Sequence, residues 1–311
     1  MRGGQAGFAL VITLVITALL VALAVEFFSD VYVATTARQN YLDSQQASLL
    51  AESGMLGAMK LLDFKLKASG SGYTTLQDDW AKPLEIADER GSLRVTTEEE
   101  NAKLSLNHVA GDNGTFNDAY YGIALRLFKS LGLPANDLCD ALADWRDTNE
   151  TPHPGGAESA WYLAQKQPYR AKNGRLDTVE ELALVKGFAG KPLEGLKQFV
   201  TVHVAPAAPA ALININTAPK EVLMALHEGI TGTLADQIID QRQRTPFTSV
   251  GELAKVPGMA TVFSAKDFPG TTLTVKGGIY RLTAEATVNE VKRTIEAVVQ
   301  PGVQPTYWRE Y

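Results

Sequence analysis

The side chains best placed to do chemistry are acidic and lie between residues 137 and 158. Four of them are spaced by three, four and three residues: Asp137, Asp140, Asp144 and Asp147. A helix places residues with that spacing on one face, where like charges repel by a few tenths of a kcal/mol per pair. A solvated acidic face is sufficient to explain Asp137 and Asp140.

The end of this acidic run is typical of a cation site. Asp144, Asp147, Asn149 and Glu150 lead into a loop containing proline and glycine, and Glu158 follows that loop. Calcium binds six to eight hard oxygen ligands, including backbone carbonyls. The order of residues is not that of an EF-hand, so a solvated loop and a calcium site both remain open.

Enzyme sites are poorly supported. The four histidines His108, His153, His203 and His227 lie far apart and show no H-x₃-H or H-E-x-x-H spacing. The sequence contains neither a G-x-S-x-G elbow nor a Walker glycine loop. It therefore predicts a protein without a catalytic site.

Upstream of these acidic residues, the N-terminal part of the sequence is predicted to form a long helix. Its apolar first part is predicted to remain in the protein as a membrane anchor. Residues 8–25 are uncharged and apolar, and as a helix they would span about 27 Å, close to the hydrocarbon thickness of a bilayer. A signal-peptide core is shorter, at about 7–15 residues. A stripe with helical spacing, Met55, Met59, Leu62 and Leu66, continues the pattern to about residue 67. Residues 69–72, Ser-Gly-Ser-Gly, are predicted to end the helix.

Charge and cysteine content limit the possible partners. The 311 residues carry a net charge of −6, which disfavours a nucleic-acid partner held through its phosphates. Cys139 is the single cysteine, so an intrachain disulfide is impossible. Arg2 on the short side of the anchor predicts that the N-terminus stays inside and the rest is exported.

Beyond the anchor the pattern predicts strands, then helices, then strands. Residues 91–99 are predicted to form a strand with Leu93 and Val95 on one face, and residues 271–300 two or three more. Gly277-Gly278 is predicted as a hairpin turn and Asn289-Glu290 as a weaker one. Residues 108–265 are predicted to be mostly helical, interrupted by a stiff Pro206/Pro209 segment. The tail from residue 301 is predicted to be loose.

An internal repeat lies within the helical stretch. Residues 176–187 (LDTVEELALVKG) align with 247–258 (FTSVGELAKVPG), sharing six of twelve positions. Each copy predicts a capping box, Thr178 with Glu181 and Ser249 with Glu252. The stretch before the second copy, NINTAPKEVLMALHEGI…LADQIIDQRQRTPF, is predicted to form two helices broken by Gly229 and Gly232, and it resembles helix-hairpin-helix modules of DNA-binding proteins. Its hairpin sequence, LHEGITGTL, lacks lysine and arginine, which favours a structural helical subdomain.

Several motifs together resemble a known family. A short leader ending in Gly7, followed by Phe8 and an apolar helix, is similar to the processing signal of type IV pilins and type II secretion pseudopilins. Four further segments, in order, resemble the minor pseudopilin K family of type II secretion: AESGMLGAMKLL, DWRDTNE…GAESAWY, PYRAKNGRLDTVEELALVKG and NINTAPKEVLMAL.

The resemblance implies an α+β fold: a long N-terminal transmembrane pilin helix and a small antiparallel sheet, with a large α-helical domain inserted between strands. The implied segments are a leader (1–7), a transmembrane segment (8–28), the amphipathic remainder of the helix (29–67), the β portion (73–107 and 266–300), the helical insertion (108–265) and a tail (301–311).

The resemblance also implies a function. Prepilin peptidase would cleave between Gly7 and Phe8 and methylate the new N-terminal Phe8. The chain would be a single-pass protein of the bacterial inner membrane with its C-terminal domain in the periplasm. It would join pseudopilins I and J at the pseudopilus tip, initiate assembly, and contact other pseudopilins and possibly secreted cargo, but no nucleic acid.

One departure from ordinary pilins fits a tip subunit. Their fifth mature residue is a glutamate that pairs with the N-terminal ammonium of a neighbouring subunit, because a buried unpaired carboxylate is costly. Here the fifth residue after Gly7 is Ile12. A subunit at the tip has no subunit above it, and members of the K family characteristically lack the glutamate.

The family binds calcium in its helical domain, and the positions that match are Asp144, Asp147, Asn149 and Glu158. Asn149 and Ser159 stand where further acids are common, so one ion is better supported than two. The alternatives to a type II secretion subunit are a minor pilin of a type IV or competence pilus and, from another class, a membrane-tethered DNA-binding protein.

Overall fold

The computed structural model describes residues 4–89, 91–204 and 211–311, with the backbone alone for residues 4–6. Its first element, α1 (Gly4–Ser69), is one unbroken helix of 66 residues. At 1.5 Å per residue its length is about 100 Å. Gly70 follows with a φ of 58°, a left-handed conformation that glycine adopts readily, so the predicted end of the helix is confirmed.

The other elements are short. The strands are β1 (Leu84–Asp88), β2 (Gly91–Glu99), β3 (Leu104–Ser105), β4 (Val200–Thr201), β5 (Ile213–Asn214), β6 (Leu273–Thr274), β7 (Tyr280–Val288), β8 (Val291–Val299) and β9 (Tyr307–Glu310). The further helices are α2 (Asp118–Ser130), α3 (Ala135–Arg146), α4 (Ser159–Leu163), α5 (Lys191–Leu196), α6 (Lys220–Leu226), α7 (Gly232–Arg244) and α8 (Met259–Phe263).

Five strands form an antiparallel sheet in the order β1-β2-β7-β8-β9. Strand β2 has the predicted bounds, and Leu93 and Val95 both point into the core. Asn289 makes the β7–β8 turn with a φ of 51°, so this weaker hairpin prediction is confirmed. Because β2 and β7 are neighbours in space but distant in sequence, everything between them is an insertion into the sheet.

Helix α1 covers one face of the sheet with its C-terminal half. Ala51, Met55, Ala58 and Leu62 are buried at spacings of three or four residues, against sheet residues such as Ile295. Small alanines let the helix backbone approach the strands closely, while Met55 and Leu62 fill the space between them. The core of the sheet therefore includes part of the anchor helix.

The insertion has its own hydrophobic core. It is built around Ile123, Leu127 and Phe128 of α2 and Leu138 and Leu142 of α3, all fully buried. Leu104 and Leu106 already belong to this second core, so the chain enters the insertion a few residues before residue 108. The sheet and the insertion are thus two cores joined at the ends of β2 and β7.

Two predictions are wrong. Gly277-Gly278 is not a hairpin turn: β6, just before it, pairs in parallel with β5, and Gly277 donates its N–H to Thr74 Oγ1. Glycine is needed at residue 277 because a Cβ there would collide with the Glu99 carboxylate. The tail is not loose, because β9 pairs with the edge strand β8 and satisfies its backbone groups. The predicted Pro206/Pro209 break lies outside the described residues.

The repeat forms two 3₁₀ turns rather than α-helices, at Glu180–Leu184 and Val250–Lys255. In the first, Thr178 Oγ1 accepts from Glu181 N as predicted, but the Glu181 carboxylate accepts from Asp177 N. In the second, Glu252 accepts from Thr248 N. Both carboxylates therefore cap the residue one position before the predicted one.

Candidate metal centre

Helix α3 brings the acidic residues to the edge of the insertion core. Leu138, Leu142 and Trp145, at spacings of four and three, face the core and fix the rotation of the helix. Asp144, beside Trp145, is completely buried, and Asp147, the first residue after the helix, is buried as well. Two carboxylates are thus held away from water one helical turn apart.

The loop that follows α3 folds back over Asp144. His153 donates its backbone N–H to Asp144 Oδ1 at 3.1 Å, and its ring Nδ1 lies 2.5 Å from the same oxygen. One ligand atom from each of Asp144, Asp147 and His153 can be chosen so that the three atoms lie within 4.8 Å of one another. Loop closure therefore converts part of an acidic helix face into a compact cluster.

Glu158 follows at the far end of the loop. It precedes α4, its side chain is 4% exposed, and both carboxylate oxygens lack a hydrogen-bond partner among the described residues. Asp147 Oδ2 also lacks a hydrogen-bond partner among the described residues. Burial, followed by the charges of Asp144, Asp147 and Glu150, raises the pKa of Glu158 to about 7. Burial also raises the pKa of Asp147.

Buried carboxylate oxygens without donors are costly and call for a partner of opposite charge. Oxygen atoms gathered in this way suit a divalent cation, because such an ion replaces the missing donors and neutralises the charge. The donor atoms of these residues are therefore of the kind that bind a metal ion.

Asn149, the fourth predicted ligand, plays a different part. It is exposed, donates its backbone N–H and side-chain amide to Asp147 Oδ1, and uses its own Oδ1 to accept from Thr151 N. Asn149 therefore orients Asp147, while its own oxygen is occupied by the loop backbone. Ser159 likewise donates to Glu150 and holds that carboxylate at the start of α4.

Two glycines make room for the carboxylates. A Cβ on Gly156 would overlap Asp144 Oδ2, and a Cβ on Gly114 would overlap Asp147 Oδ2. Gly114 also has a φ of 78°, in the left-handed region. The loops at residues 110–116 and 151–158 can close over the acids only because these positions lack side chains.

Arg146, the cation nearest in sequence, points away from the acids. Its guanidinium is almost fully buried, donates to the carbonyl of Ala110, and lies 3.1 Å from Asp112 Oδ1. It thereby holds the 110–116 loop in place beside Asp147. Its positive charge is paired with the Asp112 carboxylate in the 110–116 loop.

The structure brings Asp144, Asp147 and His153 together. Glu158 lies outside that cluster but near enough for the charges of Asp144 and Asp147 to raise its pKa, and Asn149 contacts Asp147 alone among them. Asp140 is more than a solvated acid, because its Oδ2 accepts from Gly155 N at 2.9 Å. Sequence reasoning missed His153, which a search for histidine pairs cannot find. A usable signal was its place inside the loop that starts and ends with the acids.

Comparison with known proteins gives the family. Family models described as "Type II secretion system (T2SS), protein K" match residues 102–205 and 213–276. The protein K of Pseudomonas aeruginosa is 31% identical over 266 residues, covering 82% of this chain and 78% of that protein. The chain belongs to the type II secretion system protein K family.

Two other relatives agree. The protein K of Pectobacterium carotovorum is 30% identical over 269 residues, covering 80% of this chain and 79% of that protein. The solved GspK-GspI-GspJ complex of enterotoxigenic Escherichia coli contains a chain with a TM-score of 0.72 and 24% identity, covering 89% of this chain and 99% of that one. This second likeness shows the fold, and it confirms the expected α+β pilin-like architecture.

As a member of the protein K family, the chain is a minor pseudopilin, a structural subunit of the secretion machine. The segment that resembles a helix-hairpin-helix module, α6 and α7, lies inside the second matched region. Its hairpin, residues 227–231, carries Glu228, and Lys220 beside it is paired with Asp236. This segment is therefore part of the region that the protein K family model matches.

The protein K chain has one described helix long and apolar enough to cross a membrane, residues 7–69, with a most apolar 18-residue window of mean hydropathy 3.0. Gly7 and Phe8, the predicted processing site, both lie exposed in α1. Phe27, Phe28 and Tyr32 are exposed where the apolar run ends, as in the aromatic belts of membrane proteins. The chain is a membrane-anchored pseudopilin.

Proposed function

We propose that this chain occupies the tip of the pseudopilus with pseudopilins I and J and initiates its assembly for protein secretion across the outer membrane. A relative with the same fold is found in a complex with GspI and GspJ. Other pseudopilins would then follow below the tip, with secreted cargo as a further possible contact.

The observation that carries the tip position is Ile12. A glutamate at this place in the apolar run needs a cationic partner, because a carboxylate buried without one is costly. An isoleucine needs none, which suits a subunit with no neighbour above it. The absence of the charge also leaves the chain without the usual attraction to a filament already formed.

Helix α1 offers a surface for partner helices. Leu42, Leu49 and Leu56 are spaced by seven residues and are 45%, 62% and 48% exposed. At 100° per residue they lie roughly 100–180° around the helix from Ala51 and Met55, which pack on the sheet, so the stripe is on a different face. A seven-residue leucine repeat is the pattern by which two helices pack side by side. We assign this stripe to the partner pseudopilin helices.

A secretion assay in cells lacking the native protein K tests this proposal. Wild-type chain should restore secretion and co-purify with I and J in roughly equal amounts, far below the amount of the major subunit. Leu49→Glu should abolish both, whereas Leu76→Glu, an equally exposed leucine outside α1, should retain both. Incorporation in proportion to filament length would contradict the tip position.

Orientation and processing follow from the same anchor. Arg2 precedes the apolar run, and no lysine or arginine occurs again before Arg38, while Glu26 and Asp30 stand at the other end. Positive charge on the short side favours an N-terminus in the cytoplasm and a periplasmic domain in the inner membrane of a bacterium. Prepilin peptidase would then cut at Gly7 and methylate Phe8.

We also propose that the candidate metal centre binds calcium. Asp144, Asp147 and Glu158 supply the oxygens, Asn149 orients Asp147, and the unpartnered Glu158 carboxylate supports a bound cation. The ion would supply positive charge and coordination that offset the buried acids. Since Asn149 Oδ1 is already engaged by Thr151 N, the described residues support one ion better than two.

A further inference from the structure

His153 places a nitrogen atom in a cluster that otherwise offers only oxygen. Its Nδ1 lies 2.5 Å from Asp144 Oδ1, and its backbone N–H holds the same carboxylate. The ring lies 5.2 Å from the ring of Phe116 on the covering loop, and its side chain is 27% exposed. The imidazole is thus held over the acids by two contacts to Asp144.

The acids around His153 point to a ligand independently of the histidine. Glu158 is buried with both oxygens unpartnered, and Asp147 Oδ2 is unpartnered beside it among the described residues. The ligand atoms of Asp144, Asp147 and His153 lie within 4.8 Å of one another. Two metal–ligand bonds of about 2.0–2.4 Å each cover nearly that span.

We propose that His153 is a metal ligand, and that it lets this centre bind a transition-metal ion such as Zn²⁺ in addition to Ca²⁺. Calcium takes oxygen ligands, so an imidazole contributes little to its affinity. Zinc accepts imidazole nitrogen and carboxylate oxygen together and binds more tightly than manganese at a site of this kind. The inference rests on the proposed metal centre and concerns which ions it selects.

A second role for His153 makes a different prediction. If the ring only donates a hydrogen bond to Asp144, it positions that carboxylate. Loss of the ring then lowers the affinity for every ion that Asp144 binds. If the ring nitrogen is itself a ligand, its loss weakens Zn²⁺ much more than Ca²⁺. The ratio of the two affinities therefore separates a ligand from a positioning residue.

The experiment uses the full-length chain in detergent, stripped with chelator, and calorimetric titrations with Ca²⁺ and with Zn²⁺. His153→Gln should lower Zn²⁺ affinity by about 10–100-fold and Ca²⁺ affinity by no more than about 3-fold. Co²⁺, added in place of Zn²⁺, should give visible absorption bands that change in His153→Gln. The control is His227→Gln, which alters the histidine at the end of α6 that contacts Asp267.

Each outcome decides the inference. Selective loss of Zn²⁺ affinity together with the altered Co²⁺ spectrum supports it. An equal loss for both ions, or Ca²⁺ binding with no measurable Zn²⁺ binding, overturns it while leaving the calcium centre intact. Failure of wild-type chain to bind either ion overturns the inference and the proposed calcium centre together.

Discussion

Asn214 Nδ2 donates to Glu99 Oε1 at 2.8 Å and joins the last residue of β2 to the helical insertion. Thr74 and Thr217 donate to the same carboxylate, which is 3% exposed. Glu99 therefore ties the end of the sheet to two separate segments, one at Thr74 and one at residues 214–217, through neutral donors.

Burial raises the pKa of Glu99 to about 7, against an ordinary value of 4.5. Because the folded state favours the protonated form, this contribution to stability is fully present below about pH 4.5 and is lost as the pH rises through 7. A shift of this size corresponds to roughly 3 kcal/mol. We expect Glu99→Gln to flatten the decline in urea-unfolding free energy between pH 5 and 8.5.

The control is Glu98→Gln, a neighbouring glutamate whose side chain is 63% exposed and pairs with Lys103. It should keep the wild-type pH dependence. Identical slopes for wild type and Glu99→Gln would contradict the assigned role of Glu99.

If the proposed centre binds calcium, chelator should lower the melting temperature of the full-length chain. Chelator leaves three buried acids without a counter-ion, so Ca²⁺ should restore the melting temperature and Mg²⁺, which demands octahedral geometry, should not. Glu158→Gln removes one of these charges and should stabilise the chelated chain by about 1–3 kcal/mol while abolishing the Ca²⁺ increment. Glu180→Gln, at an exposed site, should behave like wild type.

Gly156→Ala should damage the centre from the backbone side. The added methyl overlaps Asp144 Oδ2, and overpacking of this kind costs about 1–3 kcal/mol. We expect a lower melting temperature and weaker Ca²⁺ binding by calorimetry. Gly174→Ala, where a Cβ has its nearest neighbour at 3.9 Å, should change neither, and a loss of binding there as well would argue against a local effect.

Intact-mass and N-terminal peptide spectrometry of chain recovered from its native membrane should show a mature protein that begins with N-methyl-Phe8. Chain from cells without prepilin peptidase should keep residues 1–7. A retained leader in both strains, or a cut beyond Val25, would contradict processing at Gly7.

Truncation should separate the two halves of α1. A chain that starts at residue 29 keeps Ala51, Met55 and Leu62 and should unfold cooperatively in near-ultraviolet circular dichroism. A chain that starts at residue 70 exposes Leu93 and Ile295 and should lose that cooperative transition. Cooperative unfolding of the shorter chain, unchanged in midpoint, would show that the sheet core is complete without α1.

Local patterns predicted much of the fold. Three features were predicted correctly from residues close together in sequence. They are the helical stripe through Met55 and Leu62, the alternation of Leu93 and Val95 in a strand, and the turn at Asn289. Gly277 was misjudged because β6, just before it, pairs with β5, which lies far back in the sequence. The tail was misjudged for a different reason: β9 pairs with the preceding strand β8, and the proline-containing composition of the connection conceals that pairing.

The acids of the metal centre were visible in the sequence, but their partners were not. Asp144, Asp147 and Glu158 share a residue type that suggests a cation. His153 carries no such mark, and its contact with Asp144 exists only after the loop closes. Asn149 has a suitable oxygen, yet Thr151 N takes it, which depends on a turn that spacing does not specify.

The unbroken course of α1 has a mechanical consequence. The helix that contains the apolar anchor segment continues without a break into the core of the sheet. The anchor and the sheet are therefore expected to move together as one rigid unit. Drawing the anchor outward by one residue lifts the domain by about 1.5 Å. When this subunit is extracted from the membrane, the folded domain is then displaced by the same distance as the anchor.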